Sequence, residues 1–129
     1  MIVRCVWEHN GDDSLLYADN FPGAYARGEN LEAAKVKMTA EVCSYLSWCG
    51  HNCCEAISLD VVHESVCELQ IKDADSDVIF PSELQPLTMH EYLILKELAL
   101  KSAADFQRLY DSIPDKDYGK GSGRGTFYG

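Results

Sequence analysis

The chain reads as an α+β fold: a β-β-β-α-β-β sheet with one covering helix, plus a long C-terminal helix. Three observations carry this reading. Short stretches near the start and middle alternate apolar and polar residues with a period of two. Residues 31–46 repeat apolar side chains every three or four positions, and a second helical pattern runs from Thr88 to Ile113. The expected organisation is an α+β domain over 1–80, the long amphipathic helix over 87–113, and a flexible interdomain tail over 114–129.

The first strand covers 2–8, with Val3, Cys5 and Trp7 on one side and Ile2, Arg4 and Val6 on the other. Asn10-Gly11-Asp12-Asp13 supplies turn chemistry, and Leu15-Leu16-Tyr17-Ala18 returns as the second strand of a hairpin. Phe21-Pro22-Gly23 breaks the chain again before a short third strand, Ala24 to Arg27, that ends at Gly28. Gly23 and Gly28 are both expected at positive φ, where a side chain is strained. Asn30 is placed to cap a helix whose inner face carries Leu31, Ala34, Met38, Val42, Tyr45 and Leu46, with Gly50 closing it in the left-handed region. Ile57, Leu59 and Val61 alternate with polar residues as a fourth strand, and Leu69 and Ile71 do so as a fifth. Thr88-Met89-His90-Glu91 has the form of a capping box, with Leu87 and Tyr92 spaced as a hydrophobic staple. The helix that follows would run roughly 35–40 Å, longer than the preceding sheet requires.

With 129 residues the chain suits one modest core and is too short for two ordinary domains. Its net charge of −10 is unevenly placed: residues 55–91 hold nine acids and one base. Such a surface repels phosphate backbones, so nucleic acid is not expected as a partner, and a basic protein is. No apolar run is long enough for a membrane helix, and the first residues lack the pattern of a signal peptide. The six cysteines are therefore expected as reduced thiols in a cytoplasmic protein.

The run Phe21-Pro22-Gly23-Ala24-Tyr25-Ala26-Arg27-Gly28-Glu29-Asn30-Leu31-Glu32-Ala33-Ala34 resembles the signature of HicB-like antitoxins, in which Pro-Gly, a strand, Gly and a capped helix follow a hairpin. Asn20, Ala24 and Ala33 depart from residues common at those places, while Pro22, Gly23, Gly28 and Asn30 keep the turn chemistry. The resemblance spans about residues 1–72. It implies a sheet-helix domain that docks a protein partner, in that family a small basic RNA-cleaving toxin. HicB-like proteins usually continue into a DNA-binding segment. Here a single amphipathic helix without a basic recognition stretch follows, and Leu87 to Asp117 resembles the opening helix of a DinB-like bundle. DinB-like bundles often bind a divalent metal through three histidines, which would lie on later helices. The sequence thus suggests a non-catalytic binding module, with an accessory domain of a DinB-like enzyme as the alternative.

No complete catalytic motif is present: the sequence has no phosphate loop, no Gly-x-Ser-x-Gly and no His-Glu-x-x-His. Asp73-Ala74-Asp75-Ser76-Asp77 opens like a calcium loop, but Val78 stands where Gly is needed and Leu84 where the bidentate Glu is needed. Asp73, Asp75 and Asp77 therefore read as a solvated acidic turn or a docking patch for a basic partner. Cys49, His51, Cys53 and Cys54 are one crowded group where structural zinc generally uses two spaced pairs, so packing thiols are expected and neither metal nor cofactor. His9, His63 and His90 each lack a neighbouring constellation in the sequence. The long helix is apolar on more than one side, with Leu100 and Phe106 among the residues that need covering, so a homodimer built on it is expected.

Overall fold

Four strands form a mixed sheet of order β3-β2-β1-β4: β1 (Ile2–His9), β2 (Ser14–Ala18), β3 (Tyr25–Gly28) and β4 (Ser58–Val66). The computed structural model describes residues 1–116. The chain divides into two compact units, Met1–Pro86 and a second beginning at Leu87. β1 pairs antiparallel with β2, from Cys5 opposite Ala18 to His9 opposite Ser14, and β2 pairs antiparallel with β3. β4 returns parallel to β1, starting with Ser58 opposite Ile2. A parallel neighbour needs a crossover, and helix α1 (Leu31–Trp48) supplies it.

The start of α1 is set locally. The Asn30 side-chain oxygen accepts the Ala33 N–H at 3.0 Å, satisfying one of the otherwise unpaired donors of the first turn. At the other end Gly50 takes the left-handed conformation, with φ of 83°. The helix presents Ala34, Met38 and Val42 to Val3 and Cys5 of β1, Leu16 and Ala18 of β2, and Ala26 of β3. All of these are buried, as the alternation of the strands requires.

The opposite face of the sheet is also partly covered, which the single-helix expectation did not include. The residues on that side, Leu15 and Tyr17, pack with Cys67 and Ile71. The expected fifth strand at Leu69–Lys72 does not form; Ile71–Asp73 is a 3-10 turn, and Ile71 is fully buried against the sheet. The physical reason lies in β4, which runs further than the alternation of Ile57 to Val61 implies. Opposite β1 the register passes from Val61 (facing Cys5) to His63 (facing Val6), so Val62 is a bulge. One extra residue moves every later side chain to the other face, so the alternation breaks while the strand continues. β4 therefore uses residues as far as Val66, and the chain then crosses the second face as a strap. The strap ends near β2, where the Phe80 and Tyr17 rings lie 5.3 Å apart and the Ser82 hydroxyl donates to Asp19 at 2.6 Å.

Pro22 and Gly23 occupy the centre of a turn closed by the Ala24 N–H on the Phe21 carbonyl at 3.0 Å. Gly23 has φ of 96°, as a type II turn demands at its third position. Gly28 departs from expectation because it is not at positive φ. Its constraint is space: a Cβ there would stand 2.4 Å from the Ala34 amide nitrogen at the start of α1.

The second unit contains helix α2 (Met89–Ser112). Its capping box is complete: the Glu91 N–H donates to the Thr88 hydroxyl at 3.1 Å and the Thr88 N–H donates to Glu91 at 2.7 Å. These bonds hold the Glu91 carboxyl below its ordinary pKa. The expected tail over 114–129 falls mostly outside the described residues, including the Gly-rich stretch from Gly119 to Gly125.

Candidate functional site

Glu8 is the polar centre of the first unit. β1 places it on the same side as Val6, and it is fully buried. A buried carboxylate is tolerated only when its oxygens are hydrogen-bonded. Here one oxygen accepts from the Ser76 hydroxyl at 2.7 Å and lies 3.3 Å from the Tyr17 hydroxyl. The other accepts the backbone N–H groups of Asp77 and Val78 at 3.0 and 3.1 Å. The Tyr17 hydroxyl also reaches the Ser76 oxygen at 2.9 Å. Burial pushes the Tyr17 pKa up, and the nearby Glu8 charge raises it further. Through the bonds to Ser76, Asp77 and Val78, Glu8 pins the strap to the central strand.

This pin fixes how the acidic loop is presented. Asp73 closes the 3-10 turn, Ala74 takes the left-handed conformation with φ of 67°, and Asp73, Asp75 and Asp77 are all exposed. The loop's inward-facing groups converge on Glu8. Among the described residues the donor atoms that come together are those of Glu8, Cys67 and Asp77, within 4.8 Å of one another. That set could in principle hold a small cation, but both Glu8 oxygens are already engaged by protein donors. Burial also pushes the Cys67 thiol above its ordinary range, aided by the Asp77 and Glu8 carboxylates, so this sulfur is not a ready thiolate.

The cysteine group differs from the expectation of reduced thiols. Cys43 on α1 and Cys53 in the following connection form a disulfide, with Cα atoms 5.2 Å apart. Cys53 therefore has no thiolate to offer a metal with Cys49, His51 and Cys54. The structure leaves Cys49 half-buried at the helix end, and His51 and Cys54 exposed. Cys5 is buried, and desolvation raises its thiol to about 11.

His9, isolated in the sequence, has neighbours in space. Its ring stacks on Trp7 with centroids 4.0 Å apart, and its Nε2 lies 2.7 Å from a Glu64 carboxylate oxygen. The parallel pairing of β1 with β4 makes this contact across a separation of 55 residues. The pair orients an imidazole, but among the described residues no Cys or Ser side chain bonds to it. His63 is half-buried on β4 and His90 is exposed in the first turn of α2.

α2 contains no buried residue; Leu100 is 59% exposed and Phe106 68%. No described helix is long and apolar enough to cross a membrane. Comparison with protein-family models, with curated proteins and with solved structures yields no match for this chain.

Sequence reasoning singled out the three aspartates and missed Glu8 and Tyr17, which bond the end of that run at Ser76, Asp77 and Val78. Alternation assigns Glu8 to a side of β1, but its partners lie 68 to 70 residues downstream, on a segment read as an acidic turn.

Proposed function

We propose that this chain is a non-catalytic binding or regulatory module whose acidic strap docks a basic protein partner. The observation that carries this reading is the Glu8 anchor. A recognition loop whose backbone is fixed in advance gains preorganisation, which lowers the entropy lost on binding. The charge of residues 55–91 favours a basic partner and disfavours nucleic acid. The HicB-like sequence pattern points the same way, and a cytoplasmic setting belongs to this reading. So does a homodimer in which a second copy covers the apolar residues of α2.

Titration with a lysine-rich peptide at low and high salt tests the docking surface. Binding is expected at low salt and should weaken with added salt. It should fall about tenfold in an Asp73→Asn, Asp75→Asn variant, which leaves the Glu8 contacts in place. No binding at low salt, or binding indifferent to the two aspartates, refutes this reading.

A second reading, the accessory domain of a DinB-like metal-dependent enzyme, draws support from the separate compact unit beginning at Leu87. A parent reading frame that supplies three histidines on further amphipathic helices would favour it.

A further inference from the structure

We propose that the Cys43–Cys53 disulfide is a reducible latch on the connection between α1 and β4, so that a dithiol reductant loosens the start of the β1–β4 ladder. This inference is independent of the docking reading.

The placement of the bond carries the proposal. α1 packs chiefly on β2 and β3, while β4 is an edge strand with β1 as its sheet neighbour. The connection that joins the helix layer to this edge is fastened at both ends by backbone hydrogen bonds. On the helix side the Gly50 and His51 N–H groups donate to Ser47 and Leu46, at 3.0 and 2.8 Å. On the strand side the Met1 ammonium donates to the Ala56 carbonyl at 2.9 Å, and the Ser58 N–H donates to the Met1 carbonyl at 2.9 Å. Beside them the Met1 ammonium lies 3.6 Å from an exposed Glu55 carboxylate oxygen, and among the described residues the tie at Cys53 is the disulfide to Cys43. Opening it leaves the middle of the connection free to move, next to the point where β4 begins to pair.

The bond is also within reach of a reductant. Cys43 and Cys53 are half-buried, and Gly50, His51, Asn52 and Cys54 around them are exposed. Cys5 and Cys67, by contrast, are buried in the two cores. A thiolate of the dithiol attacks the Cys53 sulfur and the S–S bond breaks. Cys43 leaves as a thiolate and takes a proton. The second thiol of the reductant then displaces Cys53 from the mixed disulfide. The reductant becomes a cyclic disulfide, and the chain gains two electrons and two protons. A disulfide-form oxidant of the same class reverses each step.

The test uses the whole chain, purified without reductant, before and after treatment with dithiothreitol. Thiols are alkylated in the folded state and mapped by peptide mass, and amide hydrogen exchange is followed in parallel. In the untreated chain Cys54 should be labelled while Cys43 and Cys53 are protected. After reduction Cys43 and Cys53 should be labelled, and the amides at His51 and Ser58 should exchange faster. The increase should be up to about a hundredfold, the entropy released by opening a loop of this length. Amides of Leu16 and Ala18 in β2 should change little. A Cys43→Ser, Cys53→Ser variant should behave like the reduced parent and ignore dithiothreitol, and a Cys49→Ser, Cys54→Ser variant should keep the response. Labelling of Cys43 and Cys53 before reduction overturns the proposal. So does exchange at His51 and Ser58 that reduction leaves unchanged, or a response lost in the Cys49→Ser, Cys54→Ser variant.

Discussion

Gly23 and Gly28 stand five residues apart and are required for different reasons, so the same substitution should act differently at each. Alanine at Gly23 meets no neighbour within 4 Å and suffers only from its φ of 96°, a strain of about 1 kcal/mol. At Gly28 the added Cβ falls on the backbone of Ala33 and Ala34, which cannot give way without moving the start of α1. A loss of about 2–3 kcal/mol is expected there, and urea unfolding of the two variants should rank them in that order. Equal midpoints would mean that α1 can shift away from β3 at little cost. At Glu8 the relevant change is Glu8→Gln, which keeps the shape but turns an acceptor oxygen into a donor amide. The amide arm can then face only the Ser76 and Tyr17 hydroxyls, which must turn from donating to accepting, and a loss of about 1–2 kcal/mol follows. The loss should come with faster proteolysis between Asp73 and Ile79. A destabilised variant whose strap is as protected as the parent's would show that Glu8 serves the core and not the loop.

At the scale of elements, what was legible in the sequence depended on whether the deciding contacts were local. Asn30, Gly50 and the Thr88–Glu91 box set helix ends through partners three or four residues away, and all appear where the pattern implies. β4 was legible only as far as its bulge at Val62, because alternation cannot be followed through an inserted residue. The start of the strap was misread as a strand since Leu69 and Ile71 alternate with polar residues, yet Ile71 buries by packing on Leu15 from above the sheet. The Cys43–Cys53 bond was missed for another reason: the thiols were expected reduced because the first residues lack a signal-peptide pattern, and spacing alone does not show which cysteines meet. For α2 a pH dependence follows from the cap. Glu91 is held below its ordinary pKa, so its contribution is complete above the usual glutamate value of about 4.3 and is lost as pH falls through the lowered one. Helical circular dichroism should therefore decline on acidification, and a Glu91→Gln variant should lack that part of the decline. Superimposable acid profiles for the two chains would count against the cap as the titrating element.

For the molecule as a whole, the apolar residues of α2 set the expected assembly. Light scattering should give twice the chain mass at tens of micromolar, and a Leu100→Glu, Phe106→Glu variant should return to the single-chain mass with its helix intact. A parent that scatters as one chain would exclude a second copy as the cover for α2. The sheet order carries a different consequence, which concerns synthesis. β1 leaves the ribosome before the other three strands, yet it sits in the middle of the sheet, between β2 and β4. β2 follows within a few residues, but the partner on the other side begins only at Ser58. At translation rates of ~5–20 residues per second, that flank of β1 stays open for roughly 3–10 s. A nascent chain arrested before Ser58 would expose the backbone of Ile2 to His9 along an unpaired edge, the very template that passing strands can join. The last of the four strands to be made is therefore the one that covers the central strand, and the open edge moves out to β4 itself.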